Sequence, residues 1–160
     1  MSTTTPDAIR NEIEARILAI VPLIEGVRFT AHEYQADIRP WARGKASACL
    51  RRVSVRHLGR VKPPDVSDAV REHVSAPFEV VVAYARDMRF RSLVGLDKVV
   101  NSDMTQIEQE VGTNGFATYA TSTPAATVLS LEGFTVEDDE GVPVVFGVLP
   151  LDVRFWRAQP

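Results

Sequence analysis

The chain has 160 residues, a formal net charge of −3 and one cysteine, Cys49, and 45% of its residues are hydrophobic. These values predict one soluble globular domain, residues 1–160, and they argue against a disulfide framework and against binding of nucleic acid or membrane through net charge alone. The N-terminal stretch has no secretory signal pattern, and no apolar run approaches the ~20 residues that span a bilayer, so we expect a soluble protein of the cytoplasm.

The first predicted element is an amphipathic helix that begins after Thr5. The Thr5 hydroxyl can accept a hydrogen bond from the first turn, and Pro6 suits the first helical position. Apolar residues at helical spacing form one face: Ile9, Ile13, Ile17, Ile20 and Val21. We expect the helix to be over by Pro22 or Gly26. Residues 28–49 show no sustained period, which predicts a loop or short strands.

Two strands are predicted in the middle of the chain. In residues 50–58, Val53 and Val55 face one way and their neighbours face the other. The stretch PFEVVVAYARD, residues 77–87, is rich in β-branched and aromatic side chains, as a half-buried sheet prefers. The proline-rich segment 59–77 between the two predicts a loop with a short helix. That helix would carry Val66, Val70 and Val74.

A second long helix is predicted over residues 91–111, where apolar residues again keep helical spacing. Asp103 could take part in a capping box, so the helix could restart near Asn101. Gly112 fits the position just past a helix end. The stretch GTNGFATYATSTPAA, residues 112–126, has no period and predicts an exposed loop.

Two predicted strands close the chain. Residues 127–136 change parity at Gly133, which predicts a β-bulge at that glycine. After an acidic turn, the last strand places large apolar residues on one parity together with Gly147: Val145, Leu149, Leu151, Val153 and Phe155. Pro150 cannot donate to a sheet ladder, so it predicts an edge, a bulge or a point where the strand changes its partner.

This order of elements predicts an α+β fold. We expect a mostly antiparallel sheet, with the N-terminal helix and the second helix packed on one face and a C-terminal β-hairpin that closes the chain. Flexible loops are predicted near residues 28–49, 59–77 and 112–126.

Motifs that carry chemistry are hard to find in this sequence. His32, His57, His73 and Cys49 belong to no recognised metal-ligand spacing, and there is no phosphate-binding loop and no GxSxG nucleophile motif. We therefore predict no catalytic residue, no cofactor and no metal, and expect that the protein is not an enzyme. A small hydrolase is the competing hypothesis, and it would require a nucleophile and a base within hydrogen-bond reach.

The strongest charge pattern is basic. Between Asp37 and Asp65 there are eight basic residues and no acid: Arg39, Arg43, Lys45, Arg51, Arg52, Arg56, Arg60 and Lys62. The segment 39–62 could be an ordinary solvated surface, or it could bind nucleic-acid phosphates with Trp41 as a stacking surface. Alternatively, it could meet the acidic C-terminal hairpin of another copy, because complementary charge directs assembly.

The last alternative gives a set of candidate contact residues. Three arginines would face the acidic turn of a neighbouring copy or line a central channel: Arg51, Arg52 and Arg56. The turn itself is formed by Glu137, Asp138, Asp139 and Glu140. Trp156, near the end of the last strand, would either close the core or anchor a partner.

The order of elements resembles the tail-terminator proteins of long-tailed bacteriophages. The resemblance rests on an amphipathic N-terminal helix, a long strand like PFEVVVAYARD, a helix like LDKVVNSDMTQIEQEV and a closing hairpin like LSLEGFTVEDDEGVPVVFGVLPLDVRFWR. It covers most of the chain in pattern and order, and its best local match is the acid-rich turn that leads into the final strand. Segments 28–49 and 59–77 have no counterpart in the family pattern.

The resemblance implies a virion structural protein of the tail or neck that is assembled in the host cytoplasm. It implies a homo-oligomeric ring, hexameric in this family, that caps the tail tube and joins it to a head-completion or connector protein. DNA would pass through the channel without specific binding. Another neck or head-completion protein is a neighbouring possibility, and a nucleic-acid-binding module that uses residues 39–62 is the alternative of a different class.

Overall fold

The computed structural model describes residues 5–24, 27–33, 36–59, 61–64, 66–67, 70–87, 95–112 and 126–158. The predicted loop 112–126 lies outside the described residues apart from its two ends. The predicted start of the second long helix, residues 91–94, also lies outside them.

Three α-helices and seven strands make up the described fold. The helices are α1 (Pro6–Leu18), α2 (Ile38–Gly44) and α3 (Leu96–Val111), with a 3₁₀ turn at Ala46–Ala48. The strands are β1 (Thr30–Ala31), β2 (Leu50–His57), β3 (Val66–Ser67), β4 (Arg71–Ala85), β5 (Thr127–Leu129), β6 (Thr135–Glu137) and β7 (Val144–Ala158).

The strands form one sheet in the order β1-β2-β4-β7-β5, with β3 also paired to β4 and β6 also paired to β7. Every pairing is antiparallel except that of β1 with β2. The expected α+β fold with a mostly antiparallel sheet and a closing hairpin is therefore confirmed. Helices α1 and α3 contact each other and lie on one face of this sheet.

The centre of the sheet is a long two-stranded ribbon of β4 and β7. The two strands pair over all fifteen residues, from Arg71 opposite Ala158 to Ala85 opposite Val144. At the usual rise per residue, such a ribbon is about 50 Å long. Its two ends are therefore far apart, and β2 covers only the half of β4 that begins at Phe78.

The main core lies between the ribbon and the helix pair α1–α3. As predicted, the apolar parity of β7 faces this core, together with Phe78, Val80 and Val82 of β4. Gly147 lies directly beneath Met104 of α3. A smaller apolar cluster on the opposite face is covered by α2: Ile38, Ala42, Cys49, Val81, Ala83, Val144, Phe146 and Val148.

Helix α1 agrees with its prediction at the start and differs at the end. The Ala8 N–H donates to the Thr5 hydroxyl, so Thr5 is the N-cap. The helix ends at Leu18, and Val21 lies beyond it and is 59% exposed. Arg10 is buried on this helix, and its Nε donates to the Val55 carbonyl oxygen at 2.7 Å.

Two predictions for the first half of the chain differ from the structure, although the short strand β1 lies in segment 28–49 as expected. Segment 28–49 contains helix α2, capped by Asp37, whose side chain accepts from the Arg39 N–H. The short helix predicted around Val66 and Val70 is absent from the described part of 59–77, which forms β3 and the beginning of β4. Strand β4 thus begins at Arg71, six residues before the predicted start at 77.

The second half of the chain shows two further differences. Helix α3 runs without a break through Asn101. Residues 127–136 form two short strands instead of one bulged strand, and Gly133, between them, has a φ of +73°. Pro150 lies opposite the gap between β5 and β6, so β7 changes its partner there, which is one of the three outcomes that Pro150 predicts.

None of the described helices has the length and apolar character needed to cross a bilayer.

Candidate subunit-contact surfaces

Arg51 is buried, which corrects its prediction as a contact residue. Its guanidinium group lies in the interior, where Nε is 2.7 Å from Asp103 Oδ2 and Nη2 is 3.1 Å from Asp103 Oδ1. The same group donates to the carbonyl oxygens of Ile24 and Val27. Arg51 therefore joins β2, α3 and the segment after α1, and it is not available to another subunit.

The local backbone explains this placement. The pairing register of β2 with β4 shifts between Leu50 and Arg52, so Arg51 is the extra residue of a bulge, and its φ is +53°. Arg51 also has the same parity in the sequence as Val53 and Val55, which face the core. That parity is the signal that could have identified Arg51 as an interior residue.

Asp103 receives a further hydrogen bond from Tyr84, whose hydroxyl lies 2.8 Å from Oδ2. Burial raises the pKa of Asp103, and the hydrogen bonds from Arg51 and Tyr84 act in the opposite direction. Burial, together with the Asp103 carboxylate, raises the pKa of Tyr84 well above its usual value, so the hydroxyl remains a donor. The three side chains form a polar cluster inside the core, which gives them a structural role.

Arg56 is held by acids of its own chain. Its Nε lies 3.0 Å from Glu79 Oε1, and the same glutamate binds Arg39 at 3.2 Å. Arg39 also contacts Asp37 at 3.1 Å and Glu137 at 3.0 Å. This network neutralises Arg56, and it neutralises the first acid of the turn, Glu137, within one subunit.

Arg52 lies on the face of the sheet opposite α1 and α3. Its guanidinium carbon is 4.6 Å from the centre of the Trp41 ring, and the Trp41 ring is 4.7 Å from that of His32. His32 is buried, and burial followed by the charge of Arg52 lowers its pKa. The half-buried Arg52 therefore packs on α2, and it is not directed away from the molecule towards a neighbour.

The acidic turn between β6 and β7 has two parts. Glu137 and Asp138 are paired within the chain, with Arg39 and Arg86 respectively. Asp139 and Glu140 are exposed, and their side chains have no ion pair among the described residues. Arg86 holds the backbone of the turn, since it donates to the carbonyl oxygens of Asp139 and Val142. The turn thus presents two carboxylates on a braced backbone.

Trp156 lies at the other end of the ribbon, on the opposite face from the core residue Phe155. The guanidinium carbon of Arg71 is 4.3 Å from its ring centre, and the His73 ring is 5.1 Å away. Trp156 is half-buried by these neighbours. Phe155, not Trp156, closes the core at this end.

A polar cleft of about 240 Å³ lies beside this aromatic cluster. Its charged or titratable lining residues are Lys62, His73, Asp152 and Arg154. Asp152 and Arg154 are paired at 3.1 Å, and the Arg154 side chain is 48% exposed. The segment that carries Lys62 is attached to β4 by a hydrogen bond from the Lys62 N–H to the Ser75 carbonyl oxygen.

Each histidine packs on a different aromatic ring: His32 on Trp41, His57 on Phe78 and His73 on Trp156. His57 packs on Phe78, and its Nε2 is buried without a hydrogen-bond partner. Cys49 lies in the small cluster under α2. Across the described ranges, no group of three or more His, Cys, Asp or Glu side chains is arranged to hold a metal ion.

No family model matches the chain, and no curated protein matches it.

Proposed function

We propose that this protein is a structural ring subunit at the junction of a phage head and tail, of the tail-terminator kind. In this proposal several copies form a closed ring that caps the tail tube and binds a head-completion protein. The protein acts by contact with other copies and other virion proteins, without turnover of a substrate.

The observation that carries the proposal is the charge distribution along the β4–β7 ribbon. One end presents the exposed carboxylates of Asp139 and Glu140, and near the other end Lys62 and Arg154 line a polar cleft. Opposite charges at the two ends of a rigid element favour head-to-tail association, which gives a ring when the rotation between copies closes. Helix α1, strand β4, helix α3 and the closing hairpin of β6 and β7 also follow one another in the order on which the family resemblance rests.

The alternative of a nucleic-acid-binding module loses support from the same structure. Three of the basic residues of segment 39–62 are held in ion pairs with acids of the same chain: Arg39, Arg51 and Arg56. Cations that are already paired release fewer counterions when they meet phosphates, and such release is the main source of nonspecific affinity.

The function is tested with the tail tube protein encoded in the same genome. We expect the purified chain to bind one end of polymerised tubes and to stop their growth, as seen by electron microscopy of tubes of uniform length. A protein that binds the head-completion partner but not the tubes would be a different neck protein. A protein that associates with neither, and not with itself, would refute the proposal.

A further inference from the structure

The acidic turn and the basic cleft lie too far apart to meet within one chain. The turn precedes Val144, the first residue of β7, and Arg154 follows ten residues later on the same extended strand. That separation is about 30 Å at the usual rise per residue. Any contact between the turn and the cleft must therefore join two different molecules.

The acidic turn has the features of a segment that inserts into a cleft of another molecule. The exposed Asp139 and Glu140 stand at its tip, next to Gly141, whose φ of +80° lets the chain reverse. Arg86 fixes the backbone of the turn by donating hydrogen bonds to the carbonyl oxygens of Asp139 and Val142. A braced turn loses little conformational entropy when it binds, which favours a specific contact.

The cleft has the features of a receiving site for carboxylates. It is concave and polar, and Lys62 and Arg154 supply two positive charges against the single negative charge of Asp152. Because Asp152 is paired with Arg154, one lysine charge remains in excess in the lining. Guanidinium and ammonium groups bind carboxylates through short, charge-assisted hydrogen bonds.

We propose that Asp139 and Glu140 of one subunit bind in the cleft formed by Lys62, His73 and Arg154 of the next subunit. This inference rests on the proposed function, and it replaces the predicted contact with Arg51, Arg52 and Arg56, because Arg51 and Arg56 are paired within their own chain. The contact joins two different surfaces of the same chain, so each subunit can bind one neighbour at each end.

Charge-reversal variants test the contact by sedimentation velocity at low and high salt. The turn variant is Asp139→Lys/Glu140→Lys, and the cleft variant is Lys62→Glu/Arg154→Glu. We expect each variant alone to weaken self-association at least tenfold. An equal mixture of the two variants, in which every contact regains opposite charges in an alternating ring, restores association. The variant that carries all four changes should associate with itself, without the other variants.

Two single variants on the exposed surface of α3 serve as matched controls, since they reverse a charge away from both surfaces: Lys98→Glu and Glu110→Lys. Both should assemble like the unmodified chain. If a reversal variant is unfolded, the neutral pairs Asp139→Asn/Glu140→Gln and Lys62→Gln/Arg154→Gln replace it and should weaken association in the same direction.

Three outcomes would overturn the contact. An unmodified chain that remains monomeric at every concentration, with or without tubes, would refute both the contact and the proposed function. An oligomer that is unaffected by the reversals would refute the contact alone. If the chain binds a single-stranded oligonucleotide and the cleft variant loses that binding but still assembles, the cleft is a nucleic-acid surface.

Discussion

Arg51 and Asp103 form an ion pair in which both side chains are completely buried, with 2.7 Å between Nε and Oδ2. Removing one member of a buried pair leaves an unpaired charge, which costs about 3–5 kcal/mol. We expect Asp103→Leu to lower the free energy of unfolding by about this amount, measured by urea denaturation.

The matched control for this prediction is the double variant Arg51→Met/Asp103→Leu. It buries no charge, so it should recover part of the loss, although the carbonyl oxygens of Ile24 and Val27 lose their donor. A cost below about 1 kcal/mol for the single variant would contradict the structural role of the pair.

The raised pKa of Tyr84 predicts a loss of stability at alkaline pH. Above the pKa of an exposed tyrosine, about 10, the unfolded chain releases this proton while the folded chain retains it. The folded state then binds more protons than the unfolded state, so the free energy of unfolding falls as pH rises. Tyr84→Phe removes this contribution. Between pH 9 and 11 the unfolding free energy of the variant should fall less steeply with pH than that of the unmodified chain, by a slope that corresponds to about one proton.

At neutral pH the same Tyr84→Phe variant loses the hydrogen bond to the Asp103 carboxylate, which we expect to cost about 1–3 kcal/mol. If the unfolding free energies of the unmodified chain and of Tyr84→Phe fall equally steeply with pH in the alkaline range, Tyr84 titrates at its ordinary pKa in the folded state.

Gly147 permits close approach of α3 to the ribbon. A Cβ atom at this position would lie 2.5 Å from Met104 Sδ and 2.7 Å from Met104 Cγ, so the buried methionine would have to move. We expect Gly147→Ala to destabilise the fold by about 1–3 kcal/mol in thermal unfolding. Gly44→Ala is the control, because nothing lies within 4 Å of its added Cβ. Similar stability of the two variants would show that α3 repacks freely.

Arg39 joins α2 to the sheet and to the acidic turn. Replacing it with leucine removes the ion-pair partner of Glu137 and leaves Asp37 and Glu79 with Arg56 alone. We expect a loss of roughly 1–3 kcal/mol of unfolding free energy, since charged hydrogen bonds in half-buried positions are among the stronger ones. The comparison is Arg16→Leu, which breaks a looser helical pair at 3.7 Å and should cost less than about 1 kcal/mol.

Cys49 should be inert to thiol reagents in the folded protein. Its side chain is buried, and burial raises the pKa of the thiol, so little reactive thiolate forms. The rate of modification should therefore follow global unfolding, with rapid reaction only in denaturant. Fast labelling of the native chain would show that α2 opens readily from the sheet.

The parts of the fold that sequence reasoning recovered are those with strong periodic patterns. The spacing of Ile9, Ile13 and Ile17 gives α1, and the inward parity of Leu149 and Leu151 gives β7. These patterns are local in the sequence, because each one arises from the burial of one face of a single helix or strand.

The elements that the sequence did not predict contain prolines at positions where a helix or a strand tolerates them. Pro40 lies in the first turn of α2, where a helix needs no N–H from it, so the residue does not exclude a helix. The sequence pattern predicts Pro77 as the first residue of its strand. In the structure it lies inside β4, paired opposite Asp152, and the Leu58 N–H donates to its carbonyl oxygen.

The candidate contact residues depended on pairing that no single sequence reveals. Arg56 meets Glu79 only through the register of β2 with β4, and Arg39 meets Glu137 only because α2 lies over the sheet. The sequence shows Lys62 only as part of the basic segment, and its place beside Arg154 follows from the attachment of its backbone to β4.

The most direct test of the central claim, that copies of this chain bind one another, is the mass of the unmodified protein by sedimentation velocity over a range of concentrations and in the presence of tail tubes. We expect one closed species at a fixed multiple, six for a hexameric ring, of the 17.7 kDa chain mass. A constant 17.7 kDa species under all of these conditions would contradict it.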